Sequence, residues 1–367
     1  MSASKKPKTT QETPQTPADP PPRPAPAEAP GPEESLWNRP RRPPRLVEEQ
    51  APPPVTGRPP EDAGDFMPER MLSTGKAVPS RGWRRLVYRL TLHRLNPGLS
   101  RDERRERELI ASAKRPIHHF HQVAVLTLKG GEGKTTTATM LGHTFASVRE
   151  DRVVALDATP DVGTLADRVR RDTAADVRDL VREADRIDTY ADMRAFTSRA
   201  PSRLEVLACE GDMQRLSPFG GEEYQRVIQL VGRWYSLLLT DCGPGVSHDA
   251  MGPILRQVDQ IVVPASPSID GGRSASLTLD WLRAHGHGEL ARGAVIVLNS
   301  ARRDLPIDAG KVARHFERRV RAVVRVPWDP HLAAGTVTSL EALQPATRRA
   351  YLELAAVVAD RFGSGDG

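Results

Sequence analysis

The sequence predicts an α/β domain with a doubly wound, mostly parallel sheet flanked by helices, and three observations carry that expectation. From Gln122 onward, short apolar runs alternate with longer amphipathic ones, the pattern of strands joined by crossover helices. Runs such as Val123–Leu128 are apolar at every position but Thr127, as suits strands covered by helices on both faces. A glycine-rich turn then leads from the first of these strands straight into a helix. The spacing predicts strands near 122–128, 152–156, 204–208, 235–240, 260–265, 294–299 and 322–326. Helices are expected near 134–148, 174–186, 222–233, 248–257, 270–285, 308–319 and 345–362.

Composition accounts for the rest of the chain. Its 367 residues exceed one average domain, yet only 38% are apolar, so one folded domain plus a long tail is the economical reading. More than half of the 33 prolines precede residue 61, in runs such as Pro20-Pro21-Pro22 and Pro52-Pro53-Pro54. Missing amide donors and a fixed φ prevent helix and sheet there, and residues 1–80 are expected to form a disordered Pro-rich leader. Residues 81–115 read as a basic helical segment. In it Trp83, Leu86, Val87 and Leu90 share one face among arginines, Asn96-Pro97-Gly98 is a stop, and Ser100 opens a second charged helix running to about Ala113. Residues 116–363 are the folded domain.

Cys209 and Cys242 are far apart and in no CxxC pair, so neither a disulfide framework nor a zinc site is implied. No stretch reaches the roughly 18 apolar residues that a membrane span needs. The start of the chain leads into no apolar core, so a cytoplasmic protein is expected. The net charge of +6 points to an acidic partner without separating nucleic acid, anionic lipid and acidic protein.

The strongest chemical signal is Lys129-Gly130-Gly131-Glu132-Gly133-Lys134-Thr135-Thr136 between strand and helix. Glycines there let backbone amides curl around a β-phosphate, Lys134 neutralises β and γ oxygens, and the Thr135 hydroxyl is a Mg²⁺ ligand. The helix that follows turns its positive end toward the same anion. A dinucleotide site fits less well, because Thr136 stands where its third glycine belongs and a lysine sits in the loop.

The string from Lys129 to Thr136 resembles the deviant Walker A motif of the ParA/MinD family, whose members form ATP-sandwich dimers. The resemblance implies a P-loop NTPase fold, ATP and Mg²⁺ as ligands, a homodimer formed on ATP binding, and Lys129 reaching across it to the partner's nucleotide. Asp157-Ala158-Thr159-Pro160-Asp161 is similar to the family's Asp-x-Asp-Pro switch segment. Its first carboxylate is retained as Asp157, and the second is replaced by Thr159, which puts fast hydrolysis in doubt; Asp161 is the alternative carboxylate. Tyr235 to Asp241, followed by Cys242-Gly243-Pro244-Gly245, reads as a Walker B strand. In it Asp241 holds Mg²⁺ through water and Gly243 leaves room for backbone that senses the γ-phosphate. Asn299 and Pro327 end later strands where the family places its adenine contacts, and no Asn-Lys-x-Asp guanine signature occurs. The expected catalytic residues are thus Lys129, Lys134 and Asp157.

From Arg81 to the last helix the chain further resembles EspI-type ATPases associated with type VII (ESX) secretion. Carrying strings include Arg81-Gly-Trp83-Arg84, Leu95-Asn-Pro-Gly-Leu-Ser100, Ser268-Ile-Asp270-Gly, Leu279-Asp-Trp-Leu282 and Pro327-Trp-Asp-Pro-His331. This implies an accessory or regulatory ATPase of a secretion machine, with secretion components as partners. Three alternatives stay open: ParA-type DNA partitioning through Arg314, Arg318, Arg319 and Arg321, a nucleotide-binding module with little hydrolysis, and peripheral lipid contact through residues 81–95 at the inner face of the membrane. A MinD-type membrane anchor is disfavoured by the ending Phe362-Gly-Ser-Gly-Asp-Gly367.

Overall fold

The computed structural model describes residues 89–91, 98–159, 163–209, 220–243, 250–300 and 308–363. The expectations for the Pro-rich leader, for Trp83, Leu86 and Val87, and for Asp161 and Gly245 lie outside these residues. Of the apolar face expected over 81–94, Leu90 is described, and it is 73% exposed.

Among the described residues eight strands form one sheet: β1 (His121–Val125), β2 (Val153–Ala158), β3 (Ser198–Arg199), β4 (Glu205–Leu207), β5 (Leu237–Cys242), β6 (Gln260–Ala265), β7 (Val295–Asn299) and β8 (Ala322–Val326). Their order is β3-β4-β2-β5-β1-β6-β7-β8. Every pairing is parallel except β3 with β4. That antiparallel edge has no counterpart in the sequence reading, because two residues are too few to show a periodicity. β1 ends at Val125, short of the expected Leu128. Leu126 N–H still donates to the Val262 carbonyl at 3.1 Å, but Leu128 N–H donates to Thr278 Oγ1 at 3.2 Å, and the chain has left the sheet.

The helices are α1 (Arg101–Ala113), α2 (Lys134–Val148), α3 (Val177–Arg182), α4 (Tyr190–Arg194), α5 (Gly221–Val231), α6 (Met251–Gln257), α7 (Ile269–Ala284), α8 (Gly288–Arg292), α9 (Ala309–Phe316), α10 (Pro330–Ala333) and α11 (Pro345–Ala359). Ser100 and Glu103 start α1 with a reciprocal capping box: Glu103 N–H donates to Ser100 Oγ at 3.1 Å, and Ser100 N–H donates to Glu103 Oε2 at 3.0 Å. The helix expected over 174–186 is shorter. Asp176 caps α3 by accepting from the Arg178 and Asp179 amides, and after Arg182 the chain tightens into a 3₁₀ turn at Ala184–Arg186.

Two apolar cores cover the two faces. Residues from α3 to α9, among them Leu180, Tyr224, Ile254, Leu279 and Phe316, pack with Ala124, Leu156 and Leu238 on one side. On the other side α2 and α11, with Ala113 of α1, pack Phe145, Tyr351, Leu354 and Phe362 against Val123, Val125 and Leu239. Neighbours along one strand thus enter opposite cores, as the pleat demands, and that explains why Val123–Leu126 is apolar at every position rather than at alternate ones.

Candidate nucleotide-binding site

The parallel register brings the carboxyl ends of seven strands to one edge, the place where open α/β sheets hold ligands. Val125 of β1 pairs with Asp241 of β5, and Asp241 pairs with Asp157 of β2. Asn299 ends β7, and Pro327 follows β8. The register therefore gathers Lys129–Thr136, Asp157, Asp241, Gly243, Asn299 and Pro327, which are widely separated in sequence.

The loop is built for an anion. Gly131 and Gly133 adopt φ of 80° and 85°, a conformation that glycine takes without strain. Gly133 is the N-cap of α2 and no side chain caps it, whereas α1, α3 and α7 are closed by Ser100, Asp176 and Ser268. The first-turn amides of α2 are left for a ligand, with the helix dipole behind them. Lys134 is 8% exposed, its ammonium resting 3.5 Å from the Lys129 carbonyl. Burial lowers its proton affinity, and Asp241, Cys242 and Glu132 partly offset that.

The carboxylates differ in how they are satisfied. Both Asp157 oxygens accept from backbone amides, Oδ1 from Thr159 at 3.0 Å and Oδ2 from Leu165 at 3.1 Å. Asp157 thus shapes the segment that follows β2, and a Cβ on Gly163 would lie 1.9 Å from its Oδ2. Asp241, in contrast, is 2% exposed and its Oδ1 has no partner. Burial first, and then the facing Asp157, push Asp241 up to about 7, while Thr135, Lys134 and Arg168 oppose the shift. Burial likewise raises Asp157. Two buried carboxylates on adjacent strands, one of them with an oxygen left unpartnered and with the Thr135 hydroxyl beside it, have the chemistry of a hard-cation site. A phosphate-bound Mg²⁺ therefore fits the residues present.

Glu132 is buried inside the loop. Its Oε2 accepts from Ser266 N–H at 2.5 Å, and its Oε1 lies 3.9 Å from the Lys129 ammonium, whose side chain is 53% exposed. Beyond Gly133 a cavity of about 240 Å³ is bounded by Gly131, Thr136, Asn299, Val326, Pro327, Trp328, Leu332 and Tyr351. Asn299 Nδ2 donates to the Glu132 carbonyl at 3.2 Å and to Thr137 Oγ1 at 3.1 Å. Gly130 is exposed, and Gly243 is buried at the end of β5.

Outside this edge, the expected arginine surface divides. Arg319 pairs with Asp280 at 2.5 Å, and Arg321 donates to Gln260 Oε1 and to the Val357 carbonyl, both at 2.7 Å, while Arg314 and Arg318 are exposed. Cys209 and Cys242 are buried and free, and burial raises both thiols, that of Cys209 to about 12. They are packing residues. Among the described residues His119, His121 and Asp259 also converge, at the opposite end of the sheet. The Gln260 amide decides their chemistry. Its Oε1 accepts from Arg321 and its Nε2 donates to the Val358 carbonyl, so at 2.7 Å His121 Nε2 must accept from it. The His121 proton then sits on Nδ1, toward Asp259 at 3.6 Å, which occupies the atom a metal would need. No described helix is long and apolar enough to cross a membrane.

Residues 123–367 match the CobQ/CobB/MinD/ParA nucleotide binding domain. The chain belongs to that family. Within it, the chain is 43% identical over 290 residues to ESX-1 secretion-associated protein EspI of Mycobacterium tuberculosis, covering 78% of this chain and 43% of EspI. It thus spans less than half the length of that curated relative. It is 28% identical over 262 residues to the chromosome partitioning protein ParA of Caulobacter vibrioides, covering 65% of this chain and 94% of that one. Its fold is similar to that of a ParA family ATPase from Chlorobium tepidum, with TM-score 0.55 and 17% identity over 66% of this chain and 98% of the other. The MinD of Pyrococcus horikoshii, solved with Mg-ADP, matches with TM-score 0.51 and 19% identity, covering 66% of this chain and 97% of that one.

Three residues of this MinD/ParA-type site escape a sequence reading. Tyr351 enters the cavity from α11, where its spacing reads only as core. Arg168 lies near Asp241 with no motif around it. Ser266 carried a strand-end signal in Ala265-Ser266-Pro267-Ser268, but its bond to Glu132 is a product of the fold.

Proposed function

We propose that this chain is a MinD/ParA-like ATPase that binds ATP with Mg²⁺, closes into a homodimer on the nucleotide and hydrolyses it slowly, as a regulatory switch of a type VII (ESX) secretion system. The observation that carries the reading is the pairing of an uncapped glycine loop and a buried Lys134 with the buried Asp241, whose Oδ1 has no partner, at one strand edge. The amides around Gly131 and Gly133 would hold phosphate oxygens, Lys134 would supply positive charge in a water-poor setting, and Thr135 and Asp241 would hold the metal. Bound Mg²⁺ would spread the negative charge that develops on phosphoryl transfer. Asn299 and Pro327 border the space for the base, and Gly243 leaves room for backbone near the γ-phosphate.

Lys129 is the residue of a deviant Walker A loop that crosses to a partner. Its ammonium lies 3.9 Å from the buried Glu132 carboxylate, longer than a hydrogen bond, and its own side chain is 53% exposed, so it can leave that contact. The link to secretion is supported by the identity with EspI, which extends over 78% of this chain. In this reading the protein works in the cytoplasm and reaches the membrane through its partners or through residues 81–95.

Calorimetry with ATP and Mg²⁺, followed by light scattering, tests the proposal. Lys129→Ala is expected to retain nucleotide binding and lose ATP-dependent dimerisation; undiminished dimerisation would remove the crossed-lysine role. A second reading, a nucleotide-binding module with little turnover, is favoured by Thr159 and by the commitment of both Asp157 oxygens to backbone amides. Phosphate release at background in the presence of DNA, liposomes and ESX components, with ATP still bound, would select it. The internal pairing of Arg319 and Arg321 weighs against a ParA-type DNA surface, for which ATP-dependent, salt-sensitive DNA retention would be the sign.

A further inference from the structure

Two residues that line the cavity beyond Gly133 each carry a buried polar atom with no hydrogen-bond partner, Asn299 its Oδ1 and Tyr351 its hydroxyl. Native proteins rarely leave such groups unpaired, and each destabilises the empty protein. The chemistry of both can be assigned. The Glu132 carbonyl can only accept, so the Asn299 atom 3.2 Å from it is the amide nitrogen. That nitrogen also donates to Thr137 Oγ1, and the atom Asn299 has left over is an acceptor. Tyr351 is fully buried. Burial raises its phenol well above the ordinary range, so the hydroxyl keeps its proton. The Thr137 hydroxyl lies close by without completing a hydrogen bond to it. Tyr351 therefore offers an unused donor.

An acceptor beside a donor is the complement of one base in particular. Adenine carries an exocyclic amino donor flanked by ring-nitrogen acceptors, whereas guanine places a carbonyl oxygen where the amino group would be. That oxygen would face Asn299 Oδ1, acceptor against acceptor. The apolar walls, Val326, Pro327 and Leu332, suit the faces of a purine ring.

We propose that Tyr351 is a base-specificity residue: its hydroxyl donates to an adenine ring nitrogen while Asn299 Oδ1 accepts from the neighbouring amino group. The proposal rests on the nucleotide reading above and adds to it the residue of the last helix that selects the base. Sites that hydrogen-bond a substrate group discriminate strongly against analogues lacking it, because the site's own buried polar atoms are then left unpaired.

The test is calorimetry on the full chain with Mg²⁺ and ADP, 1-deaza-ADP, 7-deaza-ADP and GDP, for wild type and Tyr351→Phe. Tyr351→Phe is expected to bind ADP about tenfold more weakly and, without nucleotide, to melt at the same or a higher temperature, since an unpaired hydroxyl has been removed. One of the two deaza analogues is expected to bind wild type about tenfold more weakly than ADP does, and to show no such loss with Tyr351→Phe. A purely structural tyrosine would instead weaken all four nucleotides equally and lower the melting temperature, which overturns the proposal. So would unchanged ADP binding by Tyr351→Phe. If wild type binds no adenine nucleotide, the nucleotide reading itself falls, and the role of Tyr351 with it.

Discussion

Replacing Gly133 by alanine tests the loop and its support together. At φ of 85° a side chain costs about 1–2 kcal/mol in backbone strain. The new methyl would also lie 2.8 Å from Asn299 Nδ2, closer than carbon and nitrogen tolerate, so the amide must move. That amide makes two hydrogen bonds, to the Glu132 carbonyl and to Thr137, each contributing about 0.5–1.5 kcal/mol net. The sum is a loss of about 2–5 kcal/mol. Gly131 is the internal control: its φ is 80°, but nothing lies within 4 Å of the position a Cβ would take, so Gly131→Ala should cost only the strain, about 1–2 kcal/mol. Both substitutions share the small gain from a stiffer unfolded chain, which cancels in the comparison. Urea unfolding of the full chain gives both values, and Asn299→Ala combined with Gly133→Ala should cost less than the separate losses added, because the clash is gone. Equal losses for the two glycines, or strict additivity with Asn299→Ala, would refute the claim that the amide of Asn299 braces the loop through Gly133.

Asp241→Asn removes a buried charge that faces Asp157. In EDTA at pH 8 it is expected to stabilise the nucleotide-free protein by about 1–4 kcal/mol and, with Mg²⁺ restored, to abolish metal-dependent nucleotide binding; a lower unfolding free energy would contradict the uncompensated charge. His143 is buried between Ser202 and Thr338, and burial, opposed by Glu341, pushes it down to about 4. The unfolded chain therefore binds the proton first, so stability is complete above about pH 6.5 and falls as the pH drops toward 4, by up to about 3 kcal/mol from this residue. His143→Gln should flatten that slope, and parallel pH profiles for the two proteins would reject the shift.

Much of the domain was legible along the chain because its signals are local. The glycine–lysine string, the strand before it and the helix over 134–148 share one short segment, and α2 spans Lys134–Val148 as expected. β6 and β8 also coincide with their expected ranges. What escaped had too little sequence to carry a period: the two-residue β3, the short helices α4, α8 and α10, and the 3₁₀ turn that cut the helix expected to reach 186. Asp157 was legible as a strand-end carboxylate, but not its two backbone partners, since Leu165 reaches it only after the loop has folded back.

The sequence alone determined the α/β class, the glycine–lysine loop between strand and helix, and the kinship, because each depends on residue order within a few turns of chain. The tertiary structure alone decided which strands are neighbours, and therefore that Asp241 faces Asp157 while Asn299 and Tyr351 share one cavity. Such contacts join residues up to hundreds of positions apart. Their geometry follows from how the two cores pack across the sheet, which no local pattern of residues specifies.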